Sequence, residues 1–279
     1  MSLLKRFLVR LHCVLVLLCC SVFLVGESSV VAQDPAAVEA IDGQPVANAS
    51  TDFLEAYRSQ AVEKWEKEIK KIEARDADEK DPADAILFIG SSSIRRWDQI
   101  ESDMAPYRTI QRGYGGAKYG DLAIYAKRLI QPHQYRALVI FVGNDVSGKP
   151  DDRTPSEVEA LARYVVGVSK AHQPTAPVLL IEVTPTKKRF AVWEKIRHIN
   201  ATLREVALST PNTYFIATAD RFLDPTGNPR TDLFVNDQLH LNEMGYDRWA
   251  ELIRGQLNYV LRAEHEFANR APVETAKAN

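Results

Sequence analysis

Three short runs in this chain are apolar at almost every position: Ala85–Ile89 (AILFI), Ala137–Val142 (ALVIFV) and Pro177–Val183 (PVLLIEV). A strand without polar alternation has no face to give to water, so each run must be covered on both sides. Weaker candidates are Arg108–Gln111 and Tyr214–Ala217. Between them lie stretches with apolar residues at spacings of three and four: Asp121–Leu129, Pro155–Ala171, Val192–Ala207 and Asn242–Leu261. Strands that alternate with helices join through crossovers into parallel sheets. The pattern therefore predicts an α/β fold, a three-layer α/β/α sandwich on a five-stranded parallel sheet. Its reactive groups are expected just past the carboxyl ends of the strands.

One more helix precedes the sheet. Phe53, Tyr57, Ala61, Trp65, Ile69 and Ile72 recur at helical spacing, Thr51 or Asp52 can cap the start, and the pattern ends near Arg75. Whether this helix covers the sheet or reaches toward a partner is not legible from the pattern. At the other extreme of order, residues 33–51 hold almost no large apolar side chain and are expected to be a linker, and 269–279 a flexible tail. The domain is thus expected over residues 52–268.

The first residues have the form of an export signal. Lys5, Arg6 and Arg10 precede the apolar run Leu11–Val25, and Val30-Val31-Ala32 offers small residues for cleavage, so 1–32 is expected to be a signal peptide. That run falls short of the ~20 residues a spanning helix needs, so no stable membrane span is expected once the leader is cleaved. Cys13, Cys19 and Cys20 all lie in it. A mature chain without cysteine has no disulfide, thiol nucleophile or cysteine metal site. His133, His172, His198 and His265 show no metal-ligand spacing, and neither metal nor cofactor is expected. Net charge is -2 with the signs well mixed, which argues against a nucleic-acid groove. A secreted or periplasmic protein results, its oligomeric state open.

Small and polar clusters follow the predicted strands. Gly90-Ser91-Ser92-Ser93 comes after the first, Arg112-Gly113-Tyr114-Gly115-Gly116 after the second, and Gly143-Asn144-Asp145 after the third; Asp237-Gln238-Leu239-His240 precedes the last helix. Each answers a need of acyl transfer. A serine hydroxyl is a weak nucleophile until a base takes its proton, and His240 is the natural base for Ser92. Asp237, three residues before it, can hold the other ring nitrogen and fix the tautomer. The oxyanion needs donors, which the amides of Ser92 and Gly116 and the side-chain NH2 of Asn144 would supply. Taken singly, each cluster has a bland explanation as a cap or turn, and chemistry alone does not choose among Ser91, Ser92 and Ser93. Their joint occurrence and order carry the weight.

That order resembles the SGNH/GDSL hydrolases over about Ala85–Leu261. "FIGSSSIRRW" is similar to the first family block with Ser92 as nucleophile, "QRGYGGAKYGDL" to the second with Gly116, "FVGND" to the third with Asn144, and "NDQLHLNEMGYDRW" to the last with Asp237 and His240. The resemblance implies a flavodoxin-like sheet in the order 2-1-3-4-5 and metal-independent ester hydrolysis. Two departures stand out: Ser91 replaces the acid of the usual Gly-Asp-Ser, and Gly143 and Asn144 are adjacent where the family has one residue between them. The expected function is a secreted serine esterase removing a small acyl group, acetyl foremost, from a carbohydrate or related polyol. Alternatives are a cell-envelope glycan O-acetyltransferase and a catalytically weak glycan-binding protein on the same scaffold. The partner is then a small-molecule or glycan ester. Arg95, Lys118 and Arg189, near the blocks in sequence, are candidates to bind an acidic or hydroxylated substrate, against the plainer prospect of solvation or pairing with acids.

Overall fold

Runs with two faces to bury end up beside one another. In the computed structural model, which describes residues 51–270, the strands β1 (Ile86–Gly90), β2 (Thr109–Gly113), β3 (Ala137–Phe141), β4 (Val178–Ile181) and β5 (Thr213–Ile216) pair in parallel, in the order β2-β1-β3-β4-β5. Every residue of β1, β3 and β4 is buried, whereas the outer strands β2 and β5 are half-exposed at alternate or central positions. This is why the inner strands are conspicuous in the sequence and the outer ones faint.

Alternate residues of each strand feed different layers. Leu87, Ile89, Leu138, Ile140, Val178 and Leu180 join one hydrophobic cluster, with the helices α1 (Glu55–Asp78), α4 (Tyr119–Ile130), α5 (Pro155–His172) and α6 (Trp193–Ser209). Ile86, Phe88, Val139, Leu179 and Ile181 join the other, with α2 (Ser92–Arg95), α3 (Ile100–Asp103), α7 (Ala219–Phe222) and α8 (Glu243–Arg270). The period-two alternation of a strand thus builds the three layers. Trp97 and Trp249 are almost fully buried in the second cluster, and a side chain of that class contributes about 1.5–3 kcal/mol when removed from water.

The long first helix packs inward. Ile69 and Ile72 share the cluster of Leu122 and Leu129 on α4, and Glu66 and Glu73 bracket Arg128 of α4 at 2.8 and 2.6 Å. The chain enters α1 through a 3₁₀ turn, Thr51–Leu54, so Leu54 rather than Thr51 or Asp52 stands at the cap position, with no side-chain cap bond. The helix also runs to Asp78, past Arg75. At the far end α8 continues to Arg270, beyond Leu261 and through positions 269 and 270 assigned to the tail, because nothing between Arg262 and Arg270 is Gly or Pro. The expected leader and nearly all of the expected linker lie outside the described residues, as do 271–279. Among the described residues no helix is long and apolar enough to cross a membrane.

From β1 the chain moves outward to β2, then returns across β1 to β3. The gap between β1 and β3 is therefore a topological switch point, where α/β sheets place their sites. Gly90 closes β1 there with φ +135°, and a Cβ on it would lie 1.9 Å from the carbonyl oxygen of Phe141. Only glycine lets the strand turn so close to its neighbour. The next amide, Ser91, then donates to that same oxygen at 2.9 Å.

Candidate active site

Ser92 opens α2, immediately past the turn that Gly90 permits. Its amide begins the first turn of the helix, where N–H groups lack partners within the helix. Its Oγ lies 3.0 Å from Nε2 of His240. Ser91 and Ser93 are buried, and neither hydroxyl reaches the imidazole. The geometry thus separates three serines that chemistry alone leaves equivalent.

His240 is presented by a loop folded on itself before α8. Phe234 and Leu241 form an antiparallel bridge, Val235 N–H donates to His240 O at 2.9 Å, and Gln238 takes a left-handed conformation with φ 54°. This turn brings Asp237 under the ring. Its Oδ2 stands 2.6 Å from His240 Nδ1, and Oδ1 accepts the amides of Leu239 and His240, each at 2.9 Å. Burial alone would raise the Asp237 carboxyl. The amide of His240, its imidazole and the amide of Leu239 outweigh that and bring it down to about 2. An ionised carboxylate at Nδ1 places the ring proton there and leaves the Nε2 lone pair facing the serine.

Beside the serine lies a cavity of about 30 Å³, lined by Ser92, Asn144, Arg189 and His240 and floored by apolar groups such as Phe141 and Trp249. Asn144, just past β3, donates from Nδ2 to Ala117 O at 3.2 Å. Gly116 borders it: a Cβ on Gly116 would be 3.7 Å from that nitrogen. Gly116 does not line the cavity itself. The neighbouring Asp145 is buried and accepts the amide of Tyr119 at 3.0 and 3.2 Å, which anchors the start of α4 behind Gly116. Burial pushes its carboxyl up to about 7, against the pull of that amide, Arg153 and Lys118.

The three candidate cations part company. Arg189 lines the cavity and donates to Gly143 O and Asn144 Oδ1. Arg95 is exposed on a separate open groove of about 570 Å³, with Asp98 and Val235, that shares only Leu241 with the cavity. Lys118 turns away to Asp151, whose carbonyl and carboxylate it meets at 2.8 and 2.7 Å.

Two supports escape a sequence reading of the blocks. The indole of Trp65 on α1 occupies the space over Gly115, whose φ is +34°. The 3₁₀ turn Lys187–Val192 carries Arg189 to the cavity, its start held by Thr186 Oγ1 accepting the Arg189 amide at 3.3 Å. A helix before the blocks carries no catalytic residue type in a recognisable spacing, so nothing in the sequence flags Trp65, and Arg189 is legible there only as a candidate substrate contact, not as a partner of Asn144.

A five-stranded parallel α/β sheet with these blocks at its switch point defines the class, an ester hydrolase of the SGNH type. The chain belongs to the GDSL-like Lipase/Acylhydrolase family, whose model matches residues 84–248, more than half of its length. No curated protein matches the chain significantly. Among solved structures it is similar to one from Streptococcus pneumonia provisionally described as a platelet activating factor, at 20% identity and TM-score 0.63, over 74% of this chain and 98% of that one. It is also similar to a GDSL-like lipase from Bacteroides thetaiotaomicron, at 17% identity and TM-score 0.57, over 68% and 97%. A family 3 carbohydrate esterase from Clostridium thermocellum follows at 15% identity and TM-score 0.50, over 64% and 97%. At these identities the likeness is one of fold.

Proposed function

We propose that this protein is an exported serine esterase that removes a short acyl group, of acetyl size, from a carbohydrate or related polyol. The observation that carries the chemistry is the 3.0 Å contact between Ser92 Oγ and His240 Nε2, with Asp237 behind the ring. His240 takes the hydroxyl proton as Ser92 attacks the ester carbonyl, and the carbonyl electrons move onto oxygen. The amides of Ser92 and Gly116 and the Asn144 NH2 receive that charge. The intermediate collapses to an acyl-serine, and the imidazolium returns its proton to the departing alcohol. A water then repeats the sequence, with His240 again as base, and releases the acid.

The acyl size rests on volume. The cavity beside Ser92, about 30 Å³, is small, which favours a short acyl group of acetyl size over a long chain. The sharing of a fold with a carbohydrate esterase and the leader-like residues 1–32 support a sugar-borne ester met outside the cytoplasm. The test is hydrolysis of p-nitrophenyl acetate and octanoate by the wild type and Ser92→Ala. The acetate is expected to turn over at least ~100-fold faster than the octanoate, and Ser92→Ala to fall to background. Equal rates for wild type and Ser92→Ala overturn the chemistry; a preference for octanoate overturns the acyl size.

A further inference from the structure

An amide side chain has two ends of nearly equal size, and only one of them donates. In the chemistry proposed above, on which this inference rests, Asn144 must face the oxyanion with nitrogen; with oxygen it would repel the charge it is meant to hold. Something in the site has to choose, and Arg189 is placed to do so. Its guanidinium donates to Asn144 Oδ1, which fixes the oxygen on that side. Nδ2 is left toward Ala117 O, at 3.2 Å, and toward Gly116. The second arm of the fork donates to Gly143 O, so the backbone and side chain of one short segment are gripped together. A planar guanidinium presents its donors in a rigid fork that fixes two such acceptors relative to one another, whereas an ammonium is a point charge on a flexible stem.

The same turn reaches the other half of the site. Lys188 N–H donates to Gln238 O at 3.1 Å, one residue from Asp237 and two from His240. Arg189 forms no ion pair among the described residues; both its bonds go to neutral oxygens of the Gly143-Asn144 segment. A partly buried cation spent in this way gives up solvation for orientation.

We infer that Arg189 is a positioning residue: it selects the donor orientation of the Asn144 amide, and the Lys187–Val192 turn ties the oxyanion side of the site to the imidazole side. The experiment is a double-mutant cycle with Arg189→Met and Asn144→Ala, read as kcat and KM on p-nitrophenyl acetate. Melting temperatures are measured alongside. Loss of one oxyanion donor typically lowers turnover about 10²–10³-fold, and Asn144→Ala is expected in that range. Arg189→Met is expected to lower kcat about 10–100-fold at nearly unchanged KM, and the double variant to be no slower than Asn144→Ala by more than about threefold. Arg189→Lys, which keeps the charge but loses the rigid fork, is expected between wild type and Arg189→Met. Should Arg189→Met fail to fold, Arg189→Lys carries the test: a lowered kcat at wild-type melting temperature supports the inference, and a wild-type kcat overturns it. Losses that multiply in the double variant, or a raised KM with kcat intact, overturn it too, the latter by making Arg189 a substrate contact. A wild type no faster than Ser92→Ala overturns the esterase reading itself, and this inference with it.

Discussion

The carboxylate of Asp237 holds His240 twice: Oδ2 stands 2.6 Å from ring Nδ1, while Oδ1 accepts the backbone amide of the same residue at 2.9 Å. One side chain thus fixes both the place of the histidine and the tautomer of its ring. Asp237→Asn separates the two effects. The amide oxygen can still accept the backbone N–H groups, but an NH2 facing Nδ1 forces the ring proton onto Nε2, toward Ser92. In the proposed mechanism the base is then blocked while the loop stays folded. We expect kcat on p-nitrophenyl acetate to fall about 10⁴-fold in a protein that is still folded at pH 7. A loss below tenfold would mean that Asp237 does not orient the base.

The depressed carboxyl of Asp237 also predicts an acid limit to stability. Its folded value of about 2 lies below the ordinary carboxylate value near 4. In that window the unfolded chain binds a proton that the native chain does not. The stabilisation is present above about pH 4 and disappears as pH falls through about 2. The gap in melting temperature between wild type and Asp237→Asn is therefore expected to hold steady from pH 6 to 4 and narrow from pH 4 to 2. A gap that stays constant down to pH 2 contradicts the assignment.

What the sequence reveals and what it hides follow from how each residue is constrained. The inner strands are visible because Leu87, Val139 and Leu180 have no polar alternation around them, a direct result of burial on both faces. β2 and β5 are faint because an edge strand is half wet. Ser92, Asn144 and His240 stand out because acyl transfer needs their residue types, yet their meeting point depends on the order of the strands. The roles of Trp65 and Arg189 are hidden for a different reason. A tryptophan on an amphipathic helix and an arginine in a polar turn look the same whether they support a site or not. Their partners, Gly115 and Asn144, are brought to them by the tertiary fold alone.

Gly115 offers a test of that hidden support. A Cβ there would lie 1.9 and 2.0 Å from the Cζ3 and Cη2 atoms of Trp65, so the indole must move or the turn must open. The residue also sits at φ +34°, where a side chain costs about 1–2 kcal/mol by itself. Gly115→Ala is expected to lower both melting temperature and kcat, because the same turn carries Gly116. In a Trp65→Ala background the clash is gone, and the further penalty of Gly115→Ala should shrink to the backbone cost. If the penalty is as large without the indole as with it, Trp65 does not shape the turn.

Two arginines anchor α1 to the rest of the domain, and burial separates their worth. Arg112 on β2 is only 3% exposed and meets Asp76 at 2.5 Å, Glu79 at 3.0 Å and Asp81 at 3.6 Å. Asp81 in turn contacts His133, itself buried. Arg128 on α4 meets Glu66 and Glu73 at similar distances, but is 34% exposed. Removing Arg112 leaves carboxylates stranded near the protein interior, a change that typically costs about 3–5 kcal/mol. Removing Arg128 leaves carboxylates that water can reach, and screening holds that cost to about 1 kcal/mol or less. Urea unfolding of Arg112→Met and Arg128→Met, compared at equal m-value, is expected to show the first losing several times more stability. Comparable losses would mean that the buried cluster is already open to solvent, and that α1 is held by Ile69 and Ile72 against α4 instead.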